Sequence, residues 1–313
     1  SPIFSFTHGT HSPKTTSFIA YGDMGLRGSY HNSTEEILAH LDDVDFVLHI
    51  GDIAYAEGQA WRWDDWFREI APVATRVPYH VCLGNHEFDY PGQSFNPKLF
   101  TYKRDSGGEC GIPYDRRFNM PGPVFQTKGD SLSGSRNIYH SRDVGMVHFV
   151  MISSEHNMTA GSEQLLWLER DLQSVNRKVT PWVVFAQHRP LYGNTVARFL
   201  PENAIMRKAL EPLLVQYKVD LALMGHIHQY QRTCRMIKHK CDENGPVYMV
   251  VGTAGAETQV PFLPKASWVR KQTDLFGISK MVAENRTHMS VKYYLDQDGT
   301  VGDEFFVVRT DSL

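Results

Sequence analysis

Five short runs of polar residues follow apolar, strand-like segments along this chain. In order, they are Gly22-Asp23-Met24-Gly25, Gly51-Asp52-Ile53-Ala54-Tyr55, Gly84-Asn85-His86-Glu87, Gln187-His188 and Gly225-His226-Ile227-His228. A single Gly-Asp after a strand is a common turn. In α/β sheets, however, the carboxyl ends of several strands present their loops to one shared crevice. Five such runs therefore predict one polar site to which at least five strands contribute.

The segments between these runs predict the fold class. Strands are predicted at 18–21, 45–50, 77–83, 147–152, 182–186, 221–224 and 248–251. Helices are predicted at 61–70 and 162–175, with a further helix start at 32–41, and a hairpin with strands at 289–295 and 304–308 around Asp298-Gly299. Apolar strands that alternate with helices indicate βαβ units and a largely parallel sheet. Residues 89–140 are rich in Gly, Pro and Tyr and predict a long insertion over the site. We expect one α/β domain with a sandwich-like double sheet.

Composition excludes some classes of protein and leaves others open. The 313 residues carry a net charge of −3, and no basic stripe suggests nucleic-acid binding. No apolar run approaches the length of about 18 residues that a membrane-spanning helix needs. The chain begins at Ser1 without a charged and apolar leader, so we expect any targeting peptide to have been cleaved or left out.

The five runs supply a donor set that suits two metal ions. The candidate ligands are two carboxylates, one phenol, one amide and three imidazoles, from Asp23, Asp52, Tyr55, Asn85, His188, His226 and His228. Carboxylate and phenolate suit hard, highly charged cations, whereas imidazole and amide oxygen suit borderline divalent ions. Two adjacent ions can stabilise both the attacking and the leaving oxygen of a displacement. The donor set thus predicts a binuclear metallohydrolase.

The ordered runs resemble those of the purple acid phosphatases, within the calcineurin-like metallophosphoesterases. Most relatives in that superfamily carry Asp-x-His in the first run, whereas here Gly25 takes the histidine position and Tyr55 follows Asp52 by three residues. That combination is specific to the purple branch. The resemblance implies a calcineurin-like fold, a four-layer α/β/β/α sandwich of two mixed sheets flanked by helices. It covers residues from about Ser17 to Thr310.

The resemblance also implies roles for individual residues. Asp23, Tyr55 and His228 would hold Fe(III), Asp52 would bridge, and Asn85, His188 and His226 would hold a divalent ion, either zinc, manganese or iron(II). A metal-bound hydroxide would attack the phosphorus of a small phosphate monoester, with phosphate as a product and an acidic pH optimum. His86 would contact the substrate, stabilise charge or protonate the leaving oxygen. Asp52 and His86 are therefore the expected catalytic residues.

Two further stretches resemble the large plant-type branch of this family. They are Gly108-Glu109-Cys110-Gly111-Ile112-Pro113-Tyr114 and Arg117-Phe118-Asn119-Met120-Pro121. Members of that branch carry a fibronectin-type domain before the catalytic domain. We therefore expect residues 1–16 to be a terminal strand and linker from such an absent domain, and residues 17–313 to form the catalytic domain.

One difference from the plant enzymes leaves the identity of the substrate undecided. Those enzymes carry two histidines nine and ten residues after the strand-end histidine, and Ala197 and Arg198 occupy these positions here. The Arg198 guanidinium suits phosphate oxygens but is a poor proton donor. We expect Asn85, His86, Arg198 and Tyr192 to bind substrate. The alternatives are a nucleotide pyrophosphatase or phosphodiesterase of the same fold and a catalytically silent binding module.

Cysteines and sequons favour the secretory pathway. The spacing of Cys234 and Cys241 suits a disulfide across a hairpin, Cys82 is expected in the core, and Cys110 could be free or paired. Sequons begin at Asn32, Asn157 and Asn285, which are candidate glycosylation sites. We expect a secreted protein or one in an acidic compartment such as a vacuole or lysosome. The oligomeric state stays open.

Overall fold

The computed structural model describes residues 15–26, 28, 30–90, 105–196, 201–257 and 261–309, without the side chains of residues 201 and 202. Its helices are α1 Tyr30–Ala39, α2 Ala60–Ala74, α3 Asn85–Phe88, α4 Ile112–Arg117, α5 Glu163–Ser174 and α6 Pro201–Gln216, with a short 3-10 turn at Leu41–Asp43. Its strands are β1 Thr16–Tyr21, β2 Phe46–Ile50, β3 Tyr79–Cys82, β4 His140–Val144, β5 Val147–Met151, β6 Trp182–Gln187, β7 Leu221–Met224, β8 Tyr230–Ile237, β9 Lys240–Cys241, β10 Val247–Val251, β11 Val269–Thr273, β12 Gly277–Ala283, β13 His288–Leu295 and β14 Val301–Val308.

The strands form two mixed sheets. In the first, the order is β14-β13-β12-β1-β2-β3, and β1, β2 and β3 run parallel. In the second, the order is β11-β8-β10-β7-β6-β5-β4, with β9 paired to β8. The strands β5, β6, β7 and β10 run parallel in this sheet. The parallel strands therefore form one side of the first sheet, next to the antiparallel β12, β13 and β14, and the centre of the second sheet, with antiparallel strands on both sides.

The two sheets face each other across an apolar core. Alternate residues of the first sheet, such as Phe18, Phe46 and Met281, pack with Phe149 and Val184 of the second in one buried cluster. Phe46 stacks on Phe149 with ring centroids 5.1 Å apart. Because side chains alternate across a strand, the residues between them face outward towards the helices.

Helices cover the outer faces of both sheets. Trp63 and Trp66 of α2 are fully buried with Val47 of β2, and Leu168 of α5 is buried with Phe185 of β6. The arrangement is the expected four-layer α/β/β/α sandwich, so the predicted fold class is confirmed. Trp61 differs from its helix neighbours because 57% of its surface is exposed.

Several elements were not predicted from the sequence. These are β4, β8, β9, β11, β12, α3, α4 and α6. Helix α6 was not predicted because Pro212 lies in its interior, and proline is disfavoured inside helices. The predicted disulfide is present and joins Cys234 of β8 to Cys241 of β9, and Cys82 is buried as expected. Within the described ranges, no helix is both long enough and apolar enough to cross a bilayer.

Candidate metal centre

The carboxyl ends of the parallel strands in both sheets meet at one edge of the sandwich. The backbone N–H of Gly22, after β1, donates to the carbonyl of Val251 in β10 at 2.9 Å. His188, which follows β6, donates from Nδ1 to the carbonyl of Ile50 in β2, also at 2.9 Å. These bonds join the two sheets where the five runs emerge. They also leave Nε2 of His188 available as a ligand, since the bond made by one ring nitrogen sets the role of the other.

Three candidate ligands form what we call the amide half: Asn85, His188 and His226. The Asn85 Oδ1 lies 3.0 Å from Nε2 of His188 and 2.7 Å from Nδ1 of His226. The His188 Nε2 also lies 3.2 Å from Oδ2 of Asp52. Four side chains from four separate loops thus direct their donor atoms at one point.

Three others form the phenol half: Asp23, Tyr55 and His228. The Tyr55 hydroxyl lies 2.9 Å from Nε2 of His228 and 3.4 Å from Oδ1 of Asp23. Asp52 also belongs here, since its Oδ2 lies 3.3 Å from the Tyr55 hydroxyl. Asp52 therefore contacts both halves and occupies the position expected of a bridging ligand.

The spacing of these atoms fits metal coordination. Ligands at about 2.0–2.2 Å from an ion lie about 3 Å apart along the edges of its coordination polyhedron. The donor atoms of Asp52, His188 and His226 lie within 4.8 Å of one another, as do those of Asp23, Asp52 and His228. Asp23 and Asp52 are 0% and 1% exposed. Buried carboxylates at this density need nearby positive charge, which two cations would supply.

The local backbone is strained at the ligands themselves. Asp23, Asp52, Tyr55 and His226 all have positive φ, between 45° and 67°. Non-glycine residues rarely adopt this left-handed conformation, and it concentrates at functional sites. Gly84 is required for a different reason, because a Cβ there would lie 2.1 Å from Oδ1 of Asp52. The sharp turns after these strands thus aim the side chains into the site.

Glu87 shapes the loops that carry the ligands. Its carboxylate accepts hydrogen bonds from the backbone N–H groups of Asp52, Ile53 and Gly84 at 2.8–2.9 Å. Burial, followed by the charge of Asp52, raises the pKa of Glu87 to about 8. The backbone N–H of His86 donates to Oδ1 of Asp52 at 2.9 Å. The third run therefore holds the bridging carboxylate through backbone bonds as well as supplying Asn85.

Asp105 orients the Asn85 amide. The Asn85 Nδ2 donates to Oδ2 of Asp105 at 2.9 Å. That bond directs the amide oxygen towards the two imidazoles. Asp105 was not predicted as a site residue, because it lies in the long Gly-rich insertion, twenty residues from Asn85, without motif spacing.

A buried ion network lies behind the amide half. Arg189 is 1% exposed and donates to Glu155 at 2.9 and 3.0 Å and to Asp89 at 3.0 Å. Its Nη1 lies 3.4 Å from Nε2 of His226. Burial and the charge of Arg189 lower the pKa of His226 well below its ordinary value. His226 therefore stays neutral, which is the ligating form of imidazole.

Electrostatics of the protein alone favour added cations. Burial by itself would raise the pKa of Asp52, but the charges of His188 and His86 hold it well below its usual range. Burial would lower the pKa of His188, yet Asp52 and Asp23 raise it to about 10. Burial and the same two carboxylates raise the pKa of Tyr55 well above its usual value. A tyrosinate would therefore need strong positive charge beside it, as a trivalent cation provides.

His86 and Tyr192 differ in their relation to this cluster. The His86 ring lies 4.3 Å from that of Tyr55, and its side chain is 25% exposed. Tyr192 is only 2% exposed, and its hydroxyl donates to Glu211. Its ring packs against Tyr248, with centroids 4.8 Å apart. The structure thus speaks against the expectation that Tyr192 binds substrate, and we leave it out of the candidate site.

Arg198 falls outside the described residues, as do Ala197 and most of the expected terminal strand and linker of residues 1–16. Asn32, Asn157 and Asn285 are exposed, and each belongs to a different part of the surface: α1, the loop after β5 and the turn between β12 and β13. Cys110 is partly exposed and unpaired with another cysteine in the described chain.

Comparison with known proteins supports the family suggested by the motifs. Residues 16–230 match the family model for calcineurin-like phosphoesterase, and residues 245–304 match that for iron/zinc purple acid phosphatase-like protein C. The structure superposes on purple acid phosphatase PPD1 from yellow lupin (Lupinus luteus) seeds with a TM-score of 0.86 and 31% identity. That alignment covers 98% of this chain and 56% of the lupin chain.

Two curated relatives indicate the range of functions assigned within this family. "Probable inactive purple acid phosphatase 9" of Arabidopsis thaliana is 40% identical over 97% of this chain and 52% of its own length. The barley (Hordeum vulgare) protein named "Nucleotide pyrophosphatase/phosphodiesterase" is 31% identical over 93% of this chain and 82% of its own. The chain spans about half the length of several curated relatives that it matches. On the family models, the sequence relatives and the shared fold together, this chain belongs to the purple acid phosphatases, within the calcineurin-like phosphoesterases.

Proposed function

We propose that this chain hydrolyses phosphate monoesters at a binuclear centre that holds Fe(III) and a divalent ion of zinc, manganese or iron(II). The phenol half with Asp52 would hold Fe(III), and the amide half with Asp52 would hold the divalent ion. Two such ions polarise phosphoryl oxygens and make hydroxide available at acidic pH. Family membership supports the reaction class, and the donor chemistry of the two halves supports the choice of ions.

One observation carries the proposal. Side chains far apart in sequence converge on a single buried point, as shown by Asp23, whose carboxylate accepts from the backbone N–H of His226 at 2.8 and 3.0 Å across 203 residues. Strained φ angles at four of the seven ligands support the same conclusion. Structural turns have no need for such convergence.

His86 is the proposed proton donor to the leaving oxygen. Its ring lies beside Tyr55 and near Glu57, with 3.9 Å between His86 Nδ1 and Glu57 Oε1. Its side chain is partly exposed, so a substrate can reach it. A histidine placed beside the ester oxygen can both stabilise charge and donate the proton. Asn85 and Arg198 remain proposed substrate contacts.

Turnover of three substrates tests the reaction class. The metal-loaded protein is assayed with p-nitrophenyl phosphate, ATP and bis-p-nitrophenyl phosphate between pH 4 and pH 8. We expect the monoester to have the highest kcat/KM and an optimum below pH 7. The His86→Ala variant should lose about 10²–10⁴-fold in kcat on the monoester, the usual contribution of general acid catalysis. A strong preference for the diester would defeat the monoester proposal.

A nucleotide pyrophosphatase or phosphodiesterase is the second candidate. It is favoured by the similarity to the barley protein of that name, of which the chain covers 82%. Faster hydrolysis of ATP than of p-nitrophenyl phosphate in the same assay would support it. A third reading, a catalytically silent binding module, predicts no turnover of any of the three esters. Retention of all seven candidate ligands argues against that reading.

The remaining assignments concern the protein beyond its site. We propose a secreted or vacuolar location, which the disulfide and the exposed sequons at Asn32, Asn157 and Asn285 support. Glycosidase treatment of the protein purified from its native source, followed by mass spectrometry, would test those sites. A fibronectin-like domain before residue 17 remains a proposal from the resemblance to the plant branch.

A further inference from the structure

A cavity of about 520 Å³ lies beside the phenol half, and Tyr55, His86 and His228 line it at that end. Ligand sites in proteins commonly enclose about 300–1,000 Å³. None of the three ligands of the amide half lines this cavity. A phosphate group is much smaller than the cavity, so there is room beside the metal centre for the alcohol portion of an ester.

Most of the carboxylates that line this cavity already have basic partners. The pairs are Glu57 with Arg62, Asp65 with Arg68 and Glu69 with His31. Glu257, the other carboxylate among the described lining residues, is exposed, and salt solution screens the field of an exposed charge. Charge alone therefore does not determine which group the cavity binds.

Trp61 is the most exposed aromatic residue among the described lining residues. Its surface is 57% exposed, although Trp63 and Trp66 of the same helix are fully buried. This exposure remains although the guanidinium carbon of Arg62 lies 5.6 Å from the centre of the Trp61 ring. A large aromatic side chain contributes binding free energy when a ligand covers it. Trp61 therefore offers surface to a ligand in the cavity.

The Trp61 ring is also close to the metal centre. Arg62 connects the two, because its Nη1 donates to the carbonyl of Tyr55 at 2.8 Å and its guanidinium lies beside the Trp61 ring. Tyr30, at the start of α1, lines the same cavity from a second helix. The cavity thus extends from the phenol half to two aromatic side chains on separate helices.

We propose that this cavity binds the alcohol portion of an aryl or arylalkyl phosphate, and that Trp61 is the specificity-determining residue that packs against its aromatic ring. The inference rests on the proposed function, because it assumes that the phosphate binds at the candidate metal centre. Two aromatic rings in an offset or edge-to-face arrangement gain about 2-fold to 10-fold in affinity beyond the area that they bury. An aliphatic ring of the same size gains only from the buried area.

A pair of non-hydrolysable ligands tests the inference. Benzylphosphonate and cyclohexylmethylphosphonate have the same carbon skeleton and the same phosphonate, and only the first has an aromatic ring. Calorimetric titration of the metal-loaded protein should give a dissociation constant about fivefold lower for benzylphosphonate. This ratio should fall to about one in Trp61→Leu and persist in Trp61→Phe. It should stay unchanged in Phe306→Leu, the matched control, since Phe306 is 54% exposed on β14 outside the cavity.

Equal affinity for the two ligands in the wild-type protein would overturn the inference. So would a ratio that persists in Trp61→Leu, a ratio that is also lost in Phe306→Leu, or failure of both ligands to bind. The carbon–phosphorus bond of these ligands is not hydrolysed, so the result does not depend on turnover. A protein that prefers benzylphosphonate but hydrolyses no ester would contradict the proposed function and leave the cavity assignment standing.

Discussion

The two halves of the candidate metal centre share Asp52 but have different surroundings. The phenol half lies beside a cavity of about 520 Å³ that Tyr55 and His228 line, whereas the amide half is backed by the buried Arg189, Glu155 and Asp89 network. The phenol half supplies a carboxylate, a phenol and one imidazole, and the amide half supplies an amide and two imidazoles. The amide half is thus held in place by surrounding ion pairs, whereas the cavity beside the phenol half leaves room for a substrate.

Substitution of Asp52, the ligand that both halves share, should give the largest loss of metal and of activity. Asp52→Asn removes the charge that both halves contact, so both ions should be lost and kcat should fall by more than about 10³-fold, given that removing a single stabilising group can cost 10²–10³. Elemental analysis and steady-state kinetics measure the two effects. Asp64→Asn, at a side chain 64% exposed on α2, is the matched control and should retain both metals. Retention of two metals by Asp52→Asn would remove it from the bridging position.

Removal of the Asn85 amide should affect metal binding in one half and not in the other. Asn85→Ala takes away the oxygen that lies between His188 and His226, so the divalent ion should be lost while iron stays with the phenol half. Activity should fall by about 10²–10³-fold, because one of two ions that stabilise the displacement is gone. Metal analysis after dialysis gives the stoichiometry. Loss of iron together with the divalent ion would show that the halves are not separable.

Asp105 should have a smaller, indirect effect. Asp105→Ala removes the acceptor that fixes the Asn85 amide, and affinity for the divalent ion should weaken by about 10-fold to 100-fold, as for other partners of metal ligands. Competition with a chromogenic chelator measures this. Asp105→Asn keeps a side-chain oxygen as an acceptor and should restore most of the affinity. If both variants bind the ion as tightly as the wild type, Asp105 does not position Asn85.

The smallest effect is expected away from both halves, at His148. Burial would lower the pKa of His148, but hydrogen bonds to Asp143 and Asp171 raise it to about 9. A raised histidine pKa stabilises the folded state below pH 6.5, and this stabilisation is lost as the pH rises through about 9. His148→Gln should therefore lower the free energy of unfolding by about 2 kcal/mol at pH 6 and by less at pH 10.

Urea unfolding at the two pH values measures that difference. Metal content of His148→Gln should equal that of the wild type at pH 6, which would show that the losses in Asp52→Asn and Asn85→Ala do not follow from reduced stability alone. An equal destabilisation at pH 6 and pH 10 would contradict the assigned charge of His148.

The fold and the candidate ligands were predictable because they depend on local patterns. A short apolar strand followed by a glycine and a polar residue is visible in the chain, and five such runs indicate one edge of a sheet. The buried ion network of Arg189, Glu155 and Asp89 was not predictable from the sequence. Arg189 is buried by partners 34 and 100 residues away, and surface exposure is the default for arginine. Tyr192 shares a segment with His188 and Arg189, yet tertiary packing against Tyr248 removes it from the site.

Strand β8 is another feature that local sequence patterns do not predict. Its residues Gln231, Arg232 and Thr233 look polar in sequence, but β8 is paired with both β10 and β11. The Arg232 side chain is neutralised by Asp303 of β14, at 2.6 Å between Nε and Oδ2. These contacts depend on strands that lie far apart in the chain, so no local sequence pattern predicts them.

A visible absorption spectrum combined with elemental analysis tests the central claim most directly. The account predicts about one iron and one divalent ion per chain and a purple solution, whose broad green-to-yellow band is lost in Tyr55→Phe while both metals remain. A colourless wild-type protein containing two zinc or manganese ions and no iron would contradict the assignment of Tyr55 and the phenol half.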